Sequence, residues 1–334
     1  MRVAVIGRTR MLYDTIESLQ KAGHKIVIIG TCKAASEYDI NEKDFEEKAN
    51  KLSIPFFCDV NINTFSIINL LKEAGADIAV SVNWLTIIKE DVLNIFQYGV
   101  LNAHCGDLPR YRGNACPNWA IIKGEKEFAI SIHFMLEELD SGDIVIKEYY
   151  PITEKTNITD IYKTVEQEIP QLFCRALDKI EDGYMGLPQS KNPKDALRCY
   201  PRMPIDGFID WNRSSEEIVK LVRASAAPFE GAYTFYGNKK IHILSCRKKN
   251  FECPSYVYSG QVILVDKQNG EVEIAAGDGV IVIERVVVDE VEMAAASILK
   301  STRIRLNYCL QEEIFYLRNQ IEKLERRIEL IDGK

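Results

Sequence analysis

What most constrains this chain is an alternation. Short runs rich in Val and Ile recur at residues 3–7, 25–30, 76–82 and 99–104, and helical patterns separate them, as at residues 8–19, closed by Gly23, and 64–73. A strand that is apolar at nearly every position needs cover on both faces, and a parallel sheet wrapped by helices supplies it. The pattern predicts an α/β fold with a Rossmann-like parallel sheet over residues 1–190. Its carboxyl strand ends are where ligands gather in such sheets. A helix is expected to start between Trp119 and Lys123, leading into a hairpin-like pair at 129–134 and 144–147 and a long helix at 158–182.

The periodicity then changes. Pro188, Pro193, Pro201 and Pro204, with Lys191, Asn192 and Lys194, mark residues 191–206 as a linker. Residues 207–300 hold one helix, 215–224, with a capping box in Ser214/Ser215 and Glu217, and short strands at 231–235, 240–244, 259–264, 271–275 and 279–283. Short strands with Gly-rich turns predict a small, OB-like β-barrel. Residues 301–334 form a helical tail. Ile314, Ile321 and Ile328 fall at heptad position a, and Leu317, Leu324 and Ile331 at d, a pattern for a parallel two-stranded coiled coil. Glu313 would face Arg318 of a partner, and Arg327 would face Asp332, so a homodimer is expected.

Charge and composition narrow the function. With 42 basic and 49 acidic side chains the net charge is −7, unfavourable for a nucleic-acid binder. No run of roughly twenty uncharged apolar residues suggests a membrane span, and the N-terminus reads as a strand rather than a leader. A soluble, cytoplasmic protein is expected. The nine cysteines are odd in number and contain no C-x-x-C pair, so neither a disulfide framework nor a metal site is indicated.

The chemistry concentrates at one strand end. Asn102 and His104, two apart on an extended segment, point the same way. Asp140 lies in the turn of the expected hairpin. A neutral histidine can accept a proton, a carboxylate can orient it, and an amide can donate to a developing oxyanion. Together they suit acyl transfer without a covalent enzyme intermediate. Nearby residues read more plainly: Cys105 points away from His104, His133 belongs to a core strand, Gly7 lacks the G-x-G-x-x-G of a dinucleotide site, and Trp211 and Tyr200 are packing residues.

Three motifs stand in order: Asn102-Ala103-His104, then Leu108-Pro109-Arg110-Tyr111-Arg112-Gly113, then Asp140-Ser141-Gly142-Asp143. They resemble the N-x-H, L-P-x-x-R-G and D-x-G-D motifs of the folate-dependent formyltransferase family, a likeness that covers roughly residues 1–300. The resemblance implies 10-formyltetrahydrofolate as donor, no metal, and Asn102, His104 and Asp140 as catalytic residues. It implies donor contacts from Ser81, Asn83, Trp84, Leu85 and Asp143, and acceptor contacts from Arg8, Arg10 and Arg112. The segment 200–232 resembles the domain junction of members that formylate nucleotide-linked amino sugars. Methionyl-tRNA formyltransferase and a non-catalytic assembly protein of the same fold are the alternatives. Cys105-Gly106-Asp107 replaces a Pro-Ser-Leu-like sequence, and Arg8-Thr9-Arg10 replaces the usual N-terminal loop.

Overall fold

The protein, seen as a computed structural model describing residues 1–35, 38–251, 256–306 and 310–332, divides into two compact units. Residues Met1–Asp206 and Arg223–Glu230 form the first, and Gly207–Val222 with the chain from Gly231 on the second.

The first unit runs β1 (Arg2–Gly7), α1 (Thr9–Lys21), β2 (Lys25–Thr31), α2 (Glu42–Leu52), β3 (Phe56–Cys58), α3 (Phe65–Ala74), β4 (Ile78–Val82), α4 (Glu90–Leu93), β5 (Val100–His104), β6 (Arg112–Gly113), α5 (Cys116–Lys123), β7 (Glu127–Phe134), β8 (Ile144–Pro151), α6 (Ile158–Glu181) and β9 (Arg198–Cys199). Seven strands make one sheet in the order β3-β2-β1-β4-β5-β7-β8. The first five are parallel. β7 and β8 add an antiparallel pair at one edge.

Strand residues alternate between two cores, as a period of two requires. Val3 and Val5 pack with Leu12 and Ile16 of α1 and with Ile169 and Phe173 of α6. Ala4 and Ile6 pack on the other face with Ile67 and Leu71 of α3. The winding reverses between β1 and β4, which opens a crevice beyond their carboxyl ends.

Sequence reading assigned nothing to α2 and β3. α2 buries only Phe45 and Ala49 along a charged helix, so its apolar period is faint, although Asn41 and Asp44 close a capping box at its start. β3 is three residues long. The proline-bearing stretch 191–206 carries β9, which pairs in parallel with β6 through Arg112–Arg198 and Gly113–Cys199.

In the second unit, α7 (Ser215–Ala224), which belongs to it as far as Val222, precedes β10 (Ala232–Tyr236), β11 (Lys239–Lys249), β12 (Val262–Asp266), β13 (Glu271–Ala275), β14 (Val280–Val288), β15 (Val291–Ala294), α8 (Ala295–Ile298) and α9 (Leu310–Asp332). The six strands form an antiparallel sheet ordered β10-β11-β14-β13-β12, with β15 also on β14. β14 pairs with β13 along its first half and with β15 along its second. Trp211 is fully buried against Ile209, Ile274 and Ile283, and its indole N–H donates to Thr234 Oγ1 at 3.0 Å, which answers the one polar atom such burial would strand.

α9 is one continuous helix. Ile314, Leu317, Ile321, Leu324 and Ile328 are 40% to 56% exposed, so the heptad stripe is about half uncovered among the described residues. Glu313, Ile331 and Asp332 lie outside the described side chains. No described helix is long and apolar enough to cross a membrane.

Candidate active site

The crevice at the carboxyl ends of β4 and β5 is a cavity of about 540 Å³ within the first unit. This is within the usual size of a ligand pocket. Asn102, His104 and Asp140 line it together with Asn83, Trp84 and Leu85. Leu85, Ile87, Leu136 and Leu139 are exposed apolar side chains at its edge.

The wall from Asn83 to Lys89 is held by side chains of the preceding loop. Asn63 donates to Ile87 O and accepts from the Lys89 N–H at 2.9 Å each. Thr86 Oγ1 donates to Val60 O and accepts from the Trp84 indole. The Trp84 ring is thereby fixed beside the cavity.

The polar corner is built around main-chain carbonyls. His104 Nε2 lies 2.6 Å from Tyr111 O. A carbonyl only accepts, so in the neutral ring Nε2 carries the proton and Nδ1 the lone pair. Nδ1 faces Asp140 Oδ2 at 3.5 Å. The tautomer is therefore set by the Tyr111 carbonyl, with the aspartate nearby. Asp140 Oδ2 in turn accepts from the Gly113 N–H at 2.8 Å, which joins the second motif to the third.

Backbone conformation concentrates here. Asn83, Ala115 and Asp140 on the cavity wall, and Tyr111 behind His104, all take left-handed φ between 50° and 57°, an uncommon conformation for residues with a side chain. Gly106 has a packing reason to be glycine: a Cβ there would stand 2.3 Å from Tyr111 O and 2.5 Å from His104 Nε2. Gln189 Nε2 holds the Asp140 turn by donating to Asp140 O at 2.9 Å and Gly142 O at 2.7 Å.

His133 enters the site as well. It stands opposite Asn102 across the β5–β7 ladder. Its Nε2 is 3.2 Å from Asn102 Nδ2 and 3.7 Å from Asp140 Oδ1, and its Nδ1 is 2.8 Å from Phe134 O. Sequence reading placed His133 on a core strand, where it is; register was needed to bring it to Asn102. Two histidines and an aspartate in one corner are a familiar metal-ligand set. Here three of the four ring nitrogens already face Tyr111 O, Phe134 O and Asn102, and no metal-ligand group is found among the described residues.

Other residues expected at the site lie elsewhere. Ser81 is fully buried in β4, and Asp143 is exposed; neither lines the cavity. Arg8 donates to Asn83 O at 3.0 Å and Lys33 O at 3.2 Å, so it shapes the Asn83 wall from behind. Arg10 pairs with Asp39 at 2.5 Å. Arg112 bonds Gln189 Oε1 at 2.7 Å and lies 3.6 Å from Glu138. Arg198 does line the cavity, as its one Lys or Arg among the described residues. It comes from the proline-rich stretch, and only the β6–β9 pairing brings it there.

Residues 1–177 match the family described as "Formyl transferase", and residues 203–303 match "Formyl transferase, C-terminal domain". The bifunctional polymyxin resistance protein ArnA of Wigglesworthia glossinidia brevipalpis is 30% identical over 304 residues, covering 81% of this chain and 45% of that protein. The structure of HypX from Aquifex aeolicus in complex with tetrahydrofolic acid superposes with a TM-score of 0.60 at 18% identity, over 90% of this chain and 47% of that one. An N-formyltransferase from Helicobacter canadensis, in complex with folinic acid and dTDP-3-aminofucose, gives 0.62 at 18% identity, over 86% of this chain and all of that one. The two structures show a shared fold, and the chain spans about half the length of ArnA and of HypX. With more than half of its residues matched to the formyl transferase family, and Asn102, His104 and Asp140 together on the lining of one cavity, the chain belongs to the formyl transferase family.

Proposed function

We propose that the protein transfers a formyl group from 10-formyltetrahydrofolate to the amine of a dTDP- or UDP-linked amino sugar. The observation that carries this reading is the meeting of Asn102, His104 and Asp140 on the wall of a cavity with an apolar edge. The apolar side chains and Trp84 suit a flat ring system, and the polar corner suits the reacting amide. The ligands named for the Helicobacter canadensis enzyme support both substrate classes. The net charge of −7 weighs against aminoacyl-tRNA.

The donor supplies an activated formyl carbon. The sugar nitrogen bonds to that carbon and the carbon's bond to the folate nitrogen breaks. Asn102 provides an amide N–H for the oxygen that gains charge on the way. The proton lost by the amine passes to His104 Nδ1, the ring nitrogen without a main-chain partner, where the Asp140 carboxylate stands beside it, and from there to the departing folate nitrogen, which leaves as an N–H. Asn83, Trp84 and Leu85 receive the pterin.

The test is incubation with 10-formyltetrahydrofolate and a panel of nucleotide-linked amino sugars, read by mass spectrometry for the formyl mass gain. Turnover on aminoacyl-tRNA alone would transfer the assignment to the tRNA branch, and none on any acceptor would favour a binding or assembly role.

Arg198 is proposed to meet the diphosphate of the acceptor. Replacing it by alanine is expected to raise KM for the nucleotide sugar about tenfold and to leave kcat nearly unchanged, the size of one charge-assisted hydrogen bond. A rise in KM for the folate donor instead would assign Arg198 to the glutamate carboxylates of the donor.

The same protein is proposed to work as a homodimer joined through α9. Five a and d side chains, at about half exposure, form a stripe that another helix with the same repeat would cover. Ile at a and Leu at d suit two parallel strands, and Arg318 and Arg327 fall at e and g, facing acidic positions of the partner's sequence. The full chain should sediment as a dimer at micromolar concentration. Leu324→Glu should sediment as a monomer with unchanged circular dichroism. A monomeric wild-type chain would rule the interface out.

A further inference from the structure

Asn102 carries an amide whose two ends look alike in shape and opposite in chemistry. Something must decide which end faces the reacting groups. The residue opposite it, His133, is nearly solvent-free at 1% exposure, and its ring is tied at both nitrogens. Nδ1 lies 2.8 Å from the carbonyl of Phe134, so Nδ1 must carry the proton. Nε2 is then a lone pair. It lies 3.2 Å from Asn102 Nδ2, and a lone pair can face only the amide's NH2 end. The reversed amide would set Oδ1 against Nε2, two acceptors in contact, and leave the buried Nε2 without a donor.

We propose that His133 is a positioning residue for formyl transfer, which fixes the orientation of the Asn102 amide through its Nδ1–H tautomer. One amide hydrogen is committed to His133. The second stays on the same nitrogen to donate into the cavity, and Oδ1 is left to accept from the incoming amine. The proposal rests on the formyl-transfer reading for its kinetic consequence, but the tautomer exists whether or not the reading holds.

The groups facing His133 are Asp140 in its turn, His104 on β5 and Arg112 on β6. Burial pushes the His133 imidazole down to about 4, against an opposing pull from Asp140 and a further downward push from His104 and Arg112. The ring is thus neutral across the physiological range, in keeping with the Nδ1–H tautomer that the Phe134 carbonyl selects. The unfolded chain binds this proton near pH 6.5 and the folded chain only near 4. Folding is therefore destabilised as pH falls through that window, and the stability is regained as pH rises.

The experiment pairs a structural readout with a kinetic one. Imidazole ¹⁵N chemical shifts of the intact protein should report a neutral Nδ1–H ring for His133 from pH 8 to pH 5; a neutral Nε2–H ring would overturn the proposal even in an inactive protein. His133→Leu should lower kcat roughly 10- to 100-fold with little change in KM. His133→Gln, whose Oε1 can accept in place of Nε2, should recover most of that loss and flatten the acid limb of stability between pH 6.5 and 4 relative to the wild type. On an Asn102→Ala background His133→Leu should have no further effect on kcat, because its target is gone. A full additional loss there, or a normal rate in His133→Leu, would show that His133 does not act through Asn102.

Discussion

Replacing His104 by alanine is expected to lower kcat by about 10²- to 10⁴-fold, the usual yield of a positioned proton acceptor. The fold should survive, since the Tyr111 carbonyl that loses the ring still accepts from the Cys116 thiol at 2.9 Å. Asn102→Ala should lose about 10²- to 10³-fold through the oxyanion donor. The two losses should not multiply, because both groups serve one transition state. Asp140→Asn separates charge from shape. The asparagine oxygen can keep the bond from the Gly113 N–H, so the turn should persist while the negative charge beside His104 Nδ1 is gone. Steady-state kinetics on purified variants, with circular dichroism as the control for folding, decide the matter. A His104→Ala enzyme with near-normal turnover would sink the catalytic assignment.

Much of this site was legible in the sequence because its residues lie on regular elements. Asn102 and His104 sit two apart on a strand whose apolar run was plain, and both line the cavity. Asp140 was readable as the turn of a hairpin whose strands, β7 and β8, are also plain. What escaped reading depended on register and on distant pairing. His133 looked like any buried strand residue until β7 paired with β5 and set it against Asn102. Arg198 sat in a proline-rich stretch without periodicity, and two ladder pairs with Arg112 and Gly113 carry it to the cavity. Ser81 shows the converse. The family likeness placed it at the ligand, but its side chain is buried within β4, and of that strand only the last residue, Val82, lines the cavity, ahead of the loop that begins at Asn83. Arg8 and Arg10 were expected to contact the acceptor. Their partners, Asn83 O, Lys33 O and Asp39, come from other loops that local sequence cannot bring together.

Gly142→Ala is expected to be among the most damaging single-methyl changes in the first unit. A Cβ at position 142 would stand 2.0 Å from Phe134 O and 2.8 Å from its carbonyl carbon, so backbone must move. Neither side can retreat easily. Phe134 is zipped to the turn by its own N–H, which donates to Asp143 O at 2.9 Å, while Gln189 holds Asp140 O and Gly142 O from the other side. The carbonyl under pressure is also the acceptor for His133 Nδ1, and the turn that would shift carries Asp140 in its left-handed conformation. One methyl group thus displaces the aspartate and disturbs the histidine that orders Asn102. Overpacking of this kind typically costs about 1–3 kcal/mol of stability, and a shift of about 1 Å at a reacting centre can lower the rate about 100-fold. Thermal unfolding should therefore show a lowered Tm, and kcat should be depressed well below that transition, where the chain is still folded. Relieving the clamp with Gln189→Ala in the same chain should return part of the rate by letting the turn relax. Wild-type turnover in Gly142→Ala would mean that the Asp140 turn does not set the geometry of the reaction.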